Sequence, residues 1–141
     1  MSAVVLLVLG AALFVLAQLR APEIGSEEDL GGQIDALQIP SSLTQLGQHY
    51  TPECPGTPCP TLVRWYGGSA AAETLKAELI SNMTSARVVV SENSLKPLIF
   101  TGRNDRYIFF VVLDTQMIAG NKFAPPGTAA EIVVSPLPDL E

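Results

Sequence analysis

The chain has 141 residues, enough for one modest domain, with 48% hydrophobic residues and a formal net charge of −6. An acidic chain without a basic stripe is poorly suited to grip a phosphate backbone, so no nucleic-acid partner is expected. One histidine and two cysteines leave little material for a nucleophilic triad or a four-ligand metal site. No enzymatic activity and no cofactor are expected.

In chain order, the first element is the apolar run from Ala3 to Ala17 inside Met1–Leu19. As a helix at 1.5 Å per residue those nineteen residues reach roughly 28 Å, close to the roughly 30 Å hydrocarbon core of a bilayer. Residues 1–20 are therefore read as a transmembrane anchor, made by Val4, Val5, Leu6, Leu7, Val8, Leu9, Leu13, Phe14, Val15 and Leu16. Val15-Leu16-Ala17 also offers the small residues of a cleavage site before Gln18, but the absence of Lys or Arg ahead of the run favours retention. Arg20 pulls the following chain toward the cytoplasm by the positive-inside rule. A cysteine pair in a proline-rich turn fits an oxidising compartment better, so the body is expected on the extracytoplasmic (periplasmic or extracellular) side.

Residues 21–60 read as an acidic arm containing Pro and Gly. From Ala21 to Val63 there are six carboxylates and no Lys or Arg, so this stretch accounts for the whole net charge. Ser26 followed by Asp29 caps a single helical turn, and Gly31-Gly32 stops it. Ser41 or Ser42 caps at most two turns before Gly47. Leu30, Ile34, Leu37, Ile39, Leu43 and Leu46 are too many apolar residues for a solvated tether. They lie on the chain's own domain or on a partner, and are the partner-contact candidates.

The arm ends in "ECPGTPCP". Pro55-Gly56 suits a type II turn that brings Cys54 and Cys59 within disulfide reach, and closing so short a loop contributes roughly 2 kcal/mol. The metal alternative uses His49, Cys54 and Cys59 with Glu53, at a spacing unlike that of structural zinc sites. A redox pair would prefer C-x-x-C at a helix N-terminus.

Residues 61–136 form the domain, with 137–141 as a tail. Leu62–Tyr66 alternates as a strand. Ser69 caps a helix whose stripe is Ala72, Leu75, Leu79 and Met83, widened by Ile80. Ala86–Glu92 reads as a strand, "PLIFT" and "RYIFFVVLD" as a hairpin, and Ala130–Ser135 as the last strand. Ile108–Leu113 is apolar on both faces and belongs in the centre of the sheet.

These elements define an α+β fold: an N-terminal transmembrane helix, then a two-layer domain with a mostly antiparallel sheet of about five strands and one packed helix. One helix leaves part of the second sheet face bare. Weaker features are the "YGGS" turn as an anion cradle, Arg103 and Arg106 as a carboxylate or phosphate grip, strand-end carboxylates Asp105, Asp114 and Glu92, and an Asn82-Met83-Thr84 sequon. The functional expectation is a non-enzymatic single-span accessory or structural subunit docked on a larger membrane complex, with membrane lipid and other subunits as partners. The alternative is a membrane-tethered ligand-binding or sensor domain.

Overall fold

The computed structural model describes residues 22–53 and 59–138. The expected anchor, residue Cys54 and the tail beyond Pro138 lie outside the described residues. Among those described, no helix is long and apolar enough to cross a membrane.

Among the described residues the fold is α+β, with one antiparallel six-stranded sheet and three helices rather than about five strands and one helix. In chain order the elements are α1 (Glu27–Asp35), β1 (Thr44–Thr51), β2 (Thr61–Gly67), α2 (Ala72–Ser85), β3 (Val89–Glu92), β4 (Ile99–Arg103), β5 (Tyr107–Val112), α3 (Thr115–Ala119) and β6 (Thr128–Pro136). The strands lie in the order β1-β2-β6-β5-β4-β3. Helix α2 carries the chain from β2 to the far edge, the β3-β4-β5 meander returns it, and β6 fills the centre between β2 and β5.

Two of the additions, α1 and β1, come from the stretch read as an arm, and the third, α3, from the connection between β5 and β6. Ser26 caps α1, its Oγ accepting from the Asp29 amide at 3.1 Å, and Asp29 answers by accepting from the Gly25 amide at 2.8 Å, a reciprocal capping arrangement. Glu27, Glu28 and Asp29 in the first turn complement the helix dipole. The helix then runs through Gly31 and Gly32 instead of stopping there. Two glycines oppose helix by about 2 kcal/mol together, but Leu30, Ile34 and Leu37 are completely or almost completely buried, and burying three such side chains contributes more than that.

The stretch after Pro40 is a strand, not two helical turns. Leu43 closes a turn onto the Pro40 carbonyl at 3.0 Å, and Thr44–Thr51 then pairs antiparallel with β2, with a bulge between Gln45 and Gly47. Eight residues of mixed propensity follow the pairing partner on offer, here the otherwise open edge of β2. Ser69 is likewise not the cap of α2. The N-cap is Ala71, without a side-chain hydrogen bond.

Helices α1 and α2 cover one sheet face. Leu30, Ile34, Leu75, Leu79 and Met83 pack there against Leu62, Tyr66, Phe100, Phe109, Val111, Ile132 and Val134 in one core. Gly102 in β4 lets α2 come close, because a Cβ at that position would run into Met83 Cε of the helix and, at 2.6 Å, into Val88 Cγ1 just beyond it. Helix α2 ends in a Schellman motif: Val88 donates to the Met83 carbonyl at 2.9 Å and Arg87 to the Thr84 carbonyl at 3.0 Å. Arg87 holds the left-handed position with φ of 62°, so β3 begins only at Val89 rather than at Ala86.

Candidate functional site

The second sheet face is half covered. Helix α3 lies against the Val112 end of β5 and against β6, and the loop that follows it reaches His49 of β1 and Glu131 of β6. Glu131 accepts from Trp65 Nε1 at 2.8 Å and from Asn121 Nδ2 at 3.1 Å, and Ile118 packs with Ile99 and Val112. His49 stacks on Phe123 with ring centroids 5.9 Å apart, and Lys122 lies 5.1 Å from the same ring.

The other half is open. Strand register sets Val63 beside Val133, Val133 beside Phe110 and Ser135 beside Ile108, and Thr101 beside Phe110. The row continues to Ser91 at the β3 edge. Ile108 is 41% exposed, Phe110 37% and Val89 72%. Side chains alternate across a strand, so these residues share the face opposite the helices. They form an apolar centre with a hydroxyl margin and no carboxylate, and exposed Arg103 stands between Val89 and Ile108 at one end of it.

A second feature is the polar seam under α1. Arg64 is the buried cation of the domain, 7% exposed. Its Nη1 donates to Asp35 at 2.7 Å and its Nε to Gln48 at 3.1 Å, while Gln48 Nε2 donates to Glu27 at 2.9 Å. Burial works against the charge of Arg64, but Tyr66 and Asp35 together offset it and hold the guanidinium above its ordinary pKa. Tyr66 is itself raised by burial, with Arg64 acting in the opposite sense. Gly31 makes room for this arginine: a Cβ there would stand 2.9 Å from Arg64 Nη2. Around the seam runs an open groove of about 980 Å³, lined by Glu23, Glu27, Glu28, Asp35, Gln48 and Arg64 among others.

At the N-terminal end of α1, the Tyr107 hydroxyl donates to both Asp29 oxygens at 2.8 and 2.7 Å, and the Tyr50 hydroxyl donates to the Gly25 carbonyl at 2.8 Å. Burial, then the hydrogen bond and charge of Asp29, push the Tyr107 hydroxyl up to about 12.

The partner-contact candidates are therefore distributed inward. Leu30, Ile34, Leu37 and Leu43 are buried in the chain's own core, Ile39 packs partly against it, and Leu46 remains 42% exposed. Of the Cys54–Cys59 pair, Cys54 lies outside the described residues, and no described cysteine is free. No group of three or more His, Cys, Asp or Glu among the described residues is placed to hold a metal ion.

Three strand-end carboxylates fall at different places. Glu92 pairs with Lys76 at 2.8 Å, Asp114 caps α3, and Asp105 sits in the β4–β5 turn beside Arg103 and Arg106. The sequon lies in α2, with Met83 fully buried and Asn82 Nδ2 donating to the Gln38 carbonyl at 2.6 Å. Its amide is already engaged in joining α2 to the end of α1. Sequence reasoning missed Arg64. The available signal was its place in "TLVRWY", on the same strand face as Leu62 and Tyr66.

The class is thus an α+β domain built on a single antiparallel sheet with one face closed and the other half open. No protein-family model matches the chain, nor does any curated protein or solved structure.

Proposed function

We propose that this chain is a non-enzymatic, single-span membrane protein, an accessory subunit that lays the open half of its sheet on a neighbouring subunit of a larger membrane complex, with its domain on the extracytoplasmic side. One observation carries the reading: exposed Ile108 and Phe110 join half-buried Val133 and Val63 in a carboxylate-free apolar surface, with Arg103 beside Ile108 at its edge, on a net-acidic chain. Apolar surface of this kind is characteristic of contact sites. The occupant it fits is an uncharged, apolar face of a protein held beside it by the same bilayer. The apolar run from Ala3 to Ala17 supplies the co-localisation, and confinement to one membrane raises the effective concentration of such a partner.

The test is gentle detergent extraction of native membranes followed by size separation. Wild-type chain should travel with a larger assembly, and the Ile108→Glu, Phe110→Glu double variant should run alone while keeping a wild-type circular dichroism spectrum. Both side chains face away from the helix-covered core, so folding survives the change. Unaltered co-migration of the double variant, or a wild-type chain that runs alone, contradicts the proposal.

A second reading, a tethered ligand-binding or sensor domain, draws on the groove of about 980 Å³ beside Arg64. It expects the melting temperature to rise with a small ligand and to lose that response in Arg64→Met.

A further inference from the structure

We propose that the end of the domain from which residues 1–21 depart is a lipid-headgroup contact, in which Arg87, Arg103 and Arg106 engage lipid phosphates and Ile24 enters the interfacial layer. The proposal rests on the reading of the Ala3–Ala17 run as a retained membrane span.

Chain length is the first argument. Only Arg20 and Ala21 separate Leu19 from Pro22, the first described residue. Three residue steps reach at most about 11 Å even when fully extended. Because α1 and β1 belong to the domain, no forty-residue arm holds the domain away from the bilayer. Its near end stands at headgroup depth.

The identity of that end is the second. Pro22 and Ile24 share a hollow with Arg87, Asn104, Asp105 and Arg106. Ile24 shares a second with Arg103, Arg106 and the strand end at Pro136. The sheet therefore stands on the β4–β5 turn, the α2–β3 junction and the end of β6.

Charge is the third. All three arginines are exposed, and the ion pairs among the described residues are Arg64–Asp35 and Lys76–Glu92, so none of the three is engaged in one. Asp105 and, beside Ile24, Glu23 are the exposed carboxylates at this end, fewer than the three arginines, and Asp29, which lines the same hollow, is held by Tyr107 and Gly25. Arginine presents a planar fork that suits phosphate oxygens. Ile24, 63% exposed beside them, adds the apolar component of an interfacial contact. Arg87 also occupies the left-handed C′ position, at φ 62°, where glycine is ordinarily preferred.

The test uses the full chain reconstituted in vesicles whose lipids carry a nitroxide quencher on the headgroup, either zwitterionic or containing an anionic phospholipid. Tryptophan is introduced as Ile24→Trp or, at the opposite end, as Met117→Trp, with Trp65 as constant background. Quenching of the added tryptophan should be several-fold greater for Ile24→Trp. It should increase with anionic lipid, fall when Arg87, Arg103 and Arg106 are all changed to Glu, and persist when all three are changed to Lys. Equal quenching at both ends, in a chain that resists alkaline carbonate extraction, overturns the headgroup contact alone. Release of the chain by carbonate overturns the span reading and this proposal with it.

Discussion

Two adjacent glycines in α1 differ in what surrounds them, and that difference isolates the role of Arg64. Gly32 is exposed with nothing within 4 Å of an added Cβ, whereas a Cβ on Gly31 would meet Arg64 Nη2 at 2.9 Å. Gly32→Ala should stabilise the domain by about 0.5–1 kcal/mol through helix propensity. Gly31→Ala has the same propensity gain but must displace the guanidinium from Asp35 and Gln48, so its net effect should be smaller or negative in urea denaturation. Tyr107 carries a pH signature. Its hydroxyl is held at about 12 against an ordinary 10.0, so the folded state keeps a proton that the unfolded chain releases. Its stabilising contribution is complete below about pH 10 and is lost as pH rises toward 12. Tyr107→Phe should cost about 2 kcal/mol at neutral pH, as expected for a hydrogen bond to a carboxylate. It should also flatten the alkaline fall in stability measured between pH 10 and 12. Part of that slope should remain, because Tyr66 is raised as well.

Helix α1 shows what could be read from the sequence and what could not. Its N-terminus was legible, because a serine three residues before an aspartate is a local signal. Its length was not, since Gly31-Gly32 is a local stop and the burial that overrides it comes from strands far along the chain. The same holds for β1, whose partner β2 supplies the reason for extension. The central position of Ile108–Leu113 and the stripe Leu75, Leu79, Met83 were visible because periodicity is a local property of sequence. If α1 is part of the domain, Ile34→Ala should cost about 2–5 kcal/mol, as for other buried aliphatic truncations. Ile24→Ala, at an exposed site two residues before the cap, should cost almost nothing. A single cooperative transition in both, monitored by Trp65 fluorescence, is the expected form.

For the molecule as a whole, placing α1 and β1 in the domain changes how the charge and the surfaces are disposed. The carboxylates Glu27, Glu28, Asp29 and Asp35 lie along one helix on the closed face, three arginines lie at one end, and the open half of the other face carries apolar and hydroxyl side chains. A partly bare second face was expected, although the cover it does have comes from α3 and the loop after it, between the hairpin and the last strand, where no element was read from the sequence. What remained illegible was which strands stay uncovered, because strand order is set by pairings between distant segments.

The most direct measurement replaces single residues with a photo-crosslinking phenylalanine derivative in cells and irradiates native membranes. Positions 110 and 133 probe the open face, and positions 77 and 95 serve as exposed controls on α2 and the β3–β4 turn. Positions 110 and 133 should each give one discrete adduct with another membrane protein, and the controls none. No adduct at 110 and 133, or the same adduct from all four positions, would contradict a docking surface on the open half of the sheet.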